Sequence, residues 1–222
     1  MTTETKRNQT VKKQNRTVKT GRKFERVRDG AAVVFLRDGY SGTSVDDISR
    51  AARVSKATLY SYFPDKSVMF REVVRAAIAD IPNQVSFDQF RTGNPDKALP
   101  KVLTALAQWA SSKPSLSLLR LMTAEALRFP EDAADYDRAI QAHITTPLSV
   151  MIDDWIKMGQ IKPHDGDPSA RQLVAMVAGH VQQNALFTGS VPTKAQRAEI
   201  VRGATRLFLS AHATPVKEAV MT

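Results

Sequence analysis

Residues 43–63 read TSVDDISRAARVSKATLYSYF, and the spacing within them decides the fold. Ser44 followed three residues later by Asp47 is the pattern of a capping box, which opens a helix. Val45, Ile48 and Ala52 recur at helical intervals and make its inward face. Val54 fills a corner, Ser55 opens a second short helix, Leu59 buries it, and Phe63 closes it before Pro64. Two short helices across a three-to-four-residue turn form a helix-turn-helix. The outward face of the second helix then carries Lys56, Ala57, Thr58, Tyr60, Ser61 and Tyr62. Small residues permit close approach, hydroxyls donate to phosphates or base edges, and lysine neutralises a backbone, so this face suits a DNA major groove. The serines at the helix starts would aim backbone N–H groups at phosphates. Tyr60 and Tyr62 also admit a plainer reading as surface aromatics packed on the following helix.

Working outward, Val27, Ala31, Val34 and Phe35 form one face of a preceding helix that stops at Gly39. Asp65 can cap a following helix that carries Val68, Met69 and Val73. A looser stretch, IPNQVSFDQFRTGNPDK at 81–97, holds turn signals and separates this module from the remainder. Beyond it, Leu99, Val102, Leu103, Leu106 and Trp109 make a clean stripe. The stretch 114–129 is apolar nearly all round, which predicts a central buried helix. Another helix spans about 131–157, kinked at Pro147 and stopped at Gly159. Asp167 followed by Pro168 reads as a cap with proline at the first helical position. That helix places Leu173, Met176, Val177, His180, Val181 and Asn184 on one side. A last helix from Thr193 presents Ile200, Val201, Ala204, Leu207, Phe208 and Ala211. Nothing alternates over strand lengths, so the expected class is all-α. The expected division is a basic arm at 1–21, a DNA-binding module at 22–80 with its helix-turn-helix at 44–63, a helical effector and dimerisation domain at 81–215, and a tail at 216–222.

The chain has 222 residues and a formal net charge of +10. Residues 1–30 hold ten Lys/Arg against Glu4, Glu25 and Asp29, which leaves 22 basic against 19 acidic side chains elsewhere. A basic arm on a nearly neutral body points to a polyanion, nucleic acid or an anionic membrane surface. Arg16, Lys19, Arg22 and Lys23 are its candidate phosphate contacts. The absence of cysteine excludes disulfides and thiolate metal sites. The N-terminal residues are polar and basic, without the apolar core of a signal peptide, and no apolar run reaches membrane-spanning length, so a cytoplasmic location without membrane partners is expected.

The segment 35–74, FLRDGYSGTSVDDISRAARVSKATLYSYFPDKSVMFREVV, resembles the DNA-binding domain of the tetracycline-repressor (TetR/AcrR) family. The Phe35…Gly39-Tyr40 turn, Thr43-Ser44…Ile48, Val54-Ser55-Lys56, Thr58-Leu59-Tyr60, Tyr62-Phe63 and Lys66 fall in the family's register, over about residues 22–75. Residues 118–139, LLRLMTAEALRFPEDAADYDRA, are similar to the effector domain of the family's AefR-like branch. The resemblance implies a homodimeric regulator, usually a repressor, released from double-stranded operator DNA by a small-molecule effector. It places Ser44, Ser55, Lys56, Thr58, Tyr60, Tyr62 and Lys66 at the DNA, with Lys56 and Thr58 near bases and Tyr60, Tyr62 and Lys66 on phosphate. One position departs: where the family has glycine before Val54 this chain has Arg53, which predicts local backbone strain.

In the body, Trp109, Arg120, Met122, Trp155, His180, Asn184 and Phe187 are candidates for a ligand pocket. Ala178, Gly203, Ala204, Leu207 and Phe208 are candidates for a dimer seam, since small residues let helices from two subunits approach. His180, Gln183 and Asn184 fit either role. Arg120 and Glu125, inside an apolar segment, could pair internally or anchor a ligand carboxylate. The four histidines lack zinc spacing, no cofactor motif is present, and no nucleophile–base pairing or glycine-rich phosphate loop suggests an enzyme. The alternatives are a regulator or activator whose body is only a dimerisation scaffold, and a protein that coats DNA or a membrane through the arm alone.

Overall fold

The structure, a computed structural model, describes residues 21–212 and Thr214. Arg16 and Lys19, with the rest of the arm to residue 20, and the tail beyond 214 lie outside the described residues. The described chain is a succession of helices: α1 Arg22–Gly42, α2 Val45–Ala52, α3 Lys56–Tyr62, α4 Lys66–Ala79 and the short α5 Ile81–Gln84. After a 3₁₀ turn at Asp88–Phe90 come α6 Pro95–Ala110, α7 Lys113–Glu125, α8 Pro130–Ile140 and α9 Thr146–Lys157. The chain then runs through α10 Gly166–Val174, α11 His180–Thr188 and α12 Lys194–His212. The fold is all-α.

The helix limits follow from local chemistry. α1 loses helical geometry at Gly39, where φ is 71°. Thr43 donates its hydroxyl to the Gly39 carbonyl at 2.6 Å, tying up one of the carbonyls the break leaves free. Pro147 has no N–H to give, and the expected kink takes the form of a π turn at Gln141–Thr145, in which the Thr146 N–H reaches the Gln141 carbonyl. A second π turn, Ala175–Gly179, joins α10 to α11. α9 is followed by Gly159 at φ 69°, as its stop signal predicts. The cap of α10 is Asp165, not Asp167: the Asp165 carboxylate accepts the Asp167 N–H at 3.2 Å. Asp167 instead pairs with Arg171 one turn on, at 2.8 Å.

Two apolar cores form. The first gathers Phe24, Val27, Ala31, Val34 and Phe35 of α1, Ile48, Leu59, Phe63, and Met69, Phe70, Val73 and Val74 of α4. It is completed by Leu118, Leu121, Met122 and Phe129, which come from α7 and the turn after it. The second holds the α6 stripe, Trp155 and the inner faces of α9 to α12. α7 is therefore not buried all round as its composition suggests: Arg120, Thr123 and Ala124 are exposed, because only one side meets α1 and the first core. α1 and α2 cross at Gly30, where a Cβ would stand 2.6 Å from that of Ala52.

The dimer-seam candidates divide. Ala178, Ala204 and Phe208 face the chain's own second core, because α12 lies along α6 and spends the Val201–Ala204–Phe208 stripe there. Leu207, by contrast, is 62% exposed, and Gly203 is half-buried. Among the described residues no helix is long and apolar enough to cross a membrane.

Candidate nucleic-acid interface

The helix-turn-helix is held by caps that each residue type supplies locally. Ser44 accepts the Asp47 N–H at 3.1 Å and donates its hydroxyl to the Asp47 carboxylate at 2.5 Å. That hydroxyl keeps the Asp47 carboxyl below its ordinary pKa. α2 ends at Arg53, whose φ of 53° and ψ of 49° put it in the left-handed region. It is the non-glycine residue with positive φ among those described, at the position where strain was expected. The bend is supported from α1: Arg26 donates to the Ala52 and Arg53 carbonyls at 3.3 and 3.4 Å. Composition alone could not assign Arg26 this task, since its partners lie 26 and 27 residues away.

Ser55 caps α3 by accepting the Thr58 N–H at 3.1 Å, and its Oγ lies 2.9 Å from Thr58 Oγ1. Leu59 and Phe63 are fully buried, so the opposite face turns outward. Ser55, Lys56, Ala57, Tyr60 and Ser61 are exposed on it, with Tyr60 at 48%. Lys56 reaches back to Asp46 of α2 at 2.7 Å, and that carboxylate raises its pKa. Tyr62 is half-buried, packs against the first core and meets Phe24 of α1 edge-on at 6.1 Å. Arg22 and Lys23, at the start of α1, are exposed.

Lys66 departs from its expected role. Its ammonium donates to the Tyr40 and Thr43 carbonyls, each at 2.9 Å, and lies 4.4 Å from the Tyr40 ring centre. It closes the carbonyl end of α1 rather than standing free for a phosphate, because Asp65 caps α4 and turns its first residue toward that end.

The same turn is gripped from the body. Glu125, buried at the end of α7, accepts the Tyr40 N–H at 3.2 Å. Arg128 donates to Ser41 Oγ at 2.9 Å, and its guanidinium lies 5.1 Å from the Tyr40 ring centre. Phe129 stacks on Phe70 at 4.3 Å and meets Tyr40 edge-on at 4.9 Å. The isolated carboxylate in an apolar segment was the visible sign of Glu125; besides Arg128 at 3.6 Å, it takes up an N–H 85 residues away. Arg120 does not pair with it; it donates to the Ala185 carbonyl at 3.1 Å.

The seven pocket candidates do not converge on one cavity. Met122 belongs to the first core. Trp155 is fully buried in the second core and donates to the Gly93 carbonyl at 2.9 Å. His180 is exposed, Phe187 is 83% exposed, and Asn184 lies half-buried on the same helix. Trp109 lines a cavity between α1, α4, α5, α6, α7 and α8. Among the described residues no cluster of three or more metal-ligating side chains occurs.

Comparison with known proteins accounts for this arrangement. Residues 27–73 match the family model described as bacterial regulatory proteins, tetR family. Residues 97–214, more than half of the chain, match the AefR-like transcriptional repressor C-terminal domain. Among curated relatives, the biofilm operon icaADBC negative transcriptional regulator IcaR of Staphylococcus aureus (strain Newman) is 28% identical over 79 residues, 36% of this chain and 42% of IcaR. The chain thus spans less than half of that relative's length. A TetR-family regulator from Mesorhizobium loti superposes with a TM-score of 0.75 at 24% identity, over 87% of this chain and 98% of the other. The flavonoid-responsive regulator FrrA superposes at 0.66 and 25% identity, covering 88% and 100%. AibR, solved in complex with isovaleryl coenzyme A and operator DNA, superposes at 0.58 and 19%, covering 83% and 97%. The chain belongs to the TetR family of bacterial transcription regulators, which bind DNA rather than catalyse a reaction, and its C-terminal domain is of the AefR-like type.

Proposed function

We propose that this chain is a homodimeric repressor that reads an operator through α3 and is released from it by a small ligand held in the helical body. The observation that carries the reading is the grip of Glu125, Arg128 and Phe129 on the turn at 39–43. That turn leads directly into Ser44 and α2, so a shift of α7 is passed to the helix-turn-helix. A ligand can use such a path only to the extent that it favours one arrangement over the other. The names of relatives point the same way: IcaR is a negative regulator, FrrA responds to flavonoids, and AibR binds both a ligand and operator DNA.

In this reading Lys56 leaves Asp46 to reach a base or a neighbouring phosphate, Tyr60 donates to phosphate, and Ser44, Ser55 and Thr58 offer hydroxyls and capped N–H groups beside it. Tyr62 and Lys66 act from behind, by positioning α3 and the turn. The exposed face of α10–α12, with Ala175, Gly179, Phe187 and Leu207, is the proposed dimer seam. Two reading helices must then lie about one DNA turn apart, ~34–36 Å.

The test is selection of bound sequences from random DNA followed by footprinting of the recovered site. A dyad-symmetric footprint, lost in a folded Phe187→Asp/Leu207→Asp protein that sediments as a monomer, is the expected result. Uniform coverage, or a footprint without dyad symmetry, rejects it. A ligand-independent regulator would show the same footprint with no compound able to release it.

A further inference from the structure

The ion pair between Lys56 of α3 and Asp46 of α2 stands on the outward face of the helix-turn-helix, and the stability of the head does not account for it. Both side chains are more than half exposed, 56% and 62%, with ammonium and carboxylate 2.7 Å apart. Exposed pairs of this kind contribute little to stability, because water screens them. The two helices are already held together by buried Ile48 and Leu59 and by the Arg26 bonds to the turn. Asp47, the neighbouring carboxylate, is engaged within its own helix by the Ser44 hydroxyl and by Arg50 at 2.6 Å. Asp46 instead reaches across to the reading helix.

An exposed carboxylate on a face that meets DNA is costly unless the DNA offers it a donor. Phosphate oxygens offer none, and a phosphate drawn to Lys56 would stand beside a second negative group. Base edges do offer one. The major groove presents outward donors at cytosine N4 and adenine N6. In a G·C pair, guanine O6 and cytosine N4 are hydrogen-bonded to each other, ~2.9 Å apart. Each has capacity left over, since O6 keeps a lone pair and N4 a second hydrogen, both turned into the groove. A donor and an acceptor 2.7 Å apart match that edge in spacing and in sign. Guanine N7 adds a second acceptor on the lysine side. In an A·T pair the adenine donor lies between N7 and thymine O4, so a carboxylate there meets an acceptor on either side.

We propose that Lys56 and Asp46 act as a unit that reads one G·C base pair in each half-site, with lysine on guanine and aspartate on cytosine. On binding, the two groups exchange partners. The Lys56 ammonium donates to O6 and N7, and the Asp46 carboxylate accepts from N4. Neither charge is left unpaired as water is expelled, which is the condition for burying both. Asp46 is then a specificity residue, although a carboxylate lowers affinity for DNA in general. This assignment rests on α3 being the operator-reading helix, as above, and adds to it a base pair and a residue of α2.

The test is selection of bound sequences from random duplexes by the intact chain and by Asp46→Ala, Asp46→Asn and Lys56→Ala. Wild type should recover a G·C pair in one fixed orientation at a symmetry-related position of each half-site, preferred about tenfold. Asp46→Ala should lose that preference while binding unrelated DNA as tightly as wild type or more so. Asp46→Asn keeps an acceptor oxygen and should keep part of the preference. Lys56→Ala should flatten the same position. In a synthetic site, 2-pyrimidinone then replaces that cytosine, which removes the N4 amino group. Wild type should bind this site about tenfold more weakly, and Asp46→Ala less than about twofold more weakly. Wild type indifferent to the loss of N4 overturns the proposal, and this arm holds even where a variant fails to fold. An Asp46→Ala protein with unchanged base preferences and raised affinity for every sequence also overturns it, and makes Asp46 only a repelling charge. That outcome leaves α3 as the reading helix, whereas wild type without any sequence preference rejects the operator reading and the pair together.

Discussion

The two cores of this molecule are built differently. The second, under α6 and α9 to α12, draws every member from residues beyond 80. The first, under the reading helices, borrows Leu118, Leu121, Met122 and Phe129 from the body. The body therefore has a complete interior of its own, whereas the head does not. A head that must borrow part of its core cannot change its relation to the body without changing its own packing. The proposed release from DNA requires that property.

The most forceful way to break this comparison is to cut the chain after residue 80. A head of about sixty residues is marginal even with a full core. Without the four borrowed side chains it should lose most of its helical signal in circular dichroism. A truncated head that unfolds cooperatively, with the stability of the intact chain, would show that the borrowed residues are incidental. A gentler version removes one of them. Phe129→Ala strips a ring stacked on Phe70 and touching Tyr40, and should cost about 3–5 kcal/mol in chemical denaturation.

The polar grip tests whether the junction is specific as well as apolar. Glu125→Gln keeps the shape but makes the bond to the Tyr40 N–H a neutral one, which should cost ~1–2 kcal/mol. It should also reduce the effect of any releasing ligand on operator affinity. A variant destabilised but released as before would mean that the carboxylate only holds the fold together.

The smallest effect sits within the head. Arg53→Gly removes the left-handed strain at the end of α2 and should raise stability by about 1 kcal/mol. If the Arg53 side chain also meets a phosphate, the same variant lowers the slope of log affinity against log salt by roughly one. An unchanged slope with raised stability would assign Arg53 no part at the DNA.

What could be read from the chain depended on how far each group reaches. Ser44, Ser55 and Asp65 were legible as caps because each bonds an N–H two or three residues on. Gly39 and Gly159 were legible as helix stops for the same reason. The bonds of Lys66 and Glu125 to the turn were not, since those partners lie from 23 to 85 residues away and only the folded chain brings them together. Asp165 and Asp167 show a subtler limit. Both can cap, and the choice fell to the one that leaves the other free to pair with Arg171. Faces were harder still: Phe208 and Leu207 are adjacent and apolar, yet one lies under α6 and the other in solvent. The cavity beside Trp109 was least legible of all, because its walls come from six helices.

The crossing of α1 and α2 at Gly30 carries a mechanical consequence. Two helices usually meet through layers of side chains, which can slide, rotate about their bonds and absorb part of any displacement. At Gly30 backbone lies against the methyl of Ala52 with no side chain between them. In an engineer's vocabulary this is a gear train without backlash, in which the driven wheel turns as soon as the driving wheel does. Whatever displaces α1 is handed to α2 with little lost motion. In the proposed switch, one glycine of α1 would thus set the gain between body and reading helix.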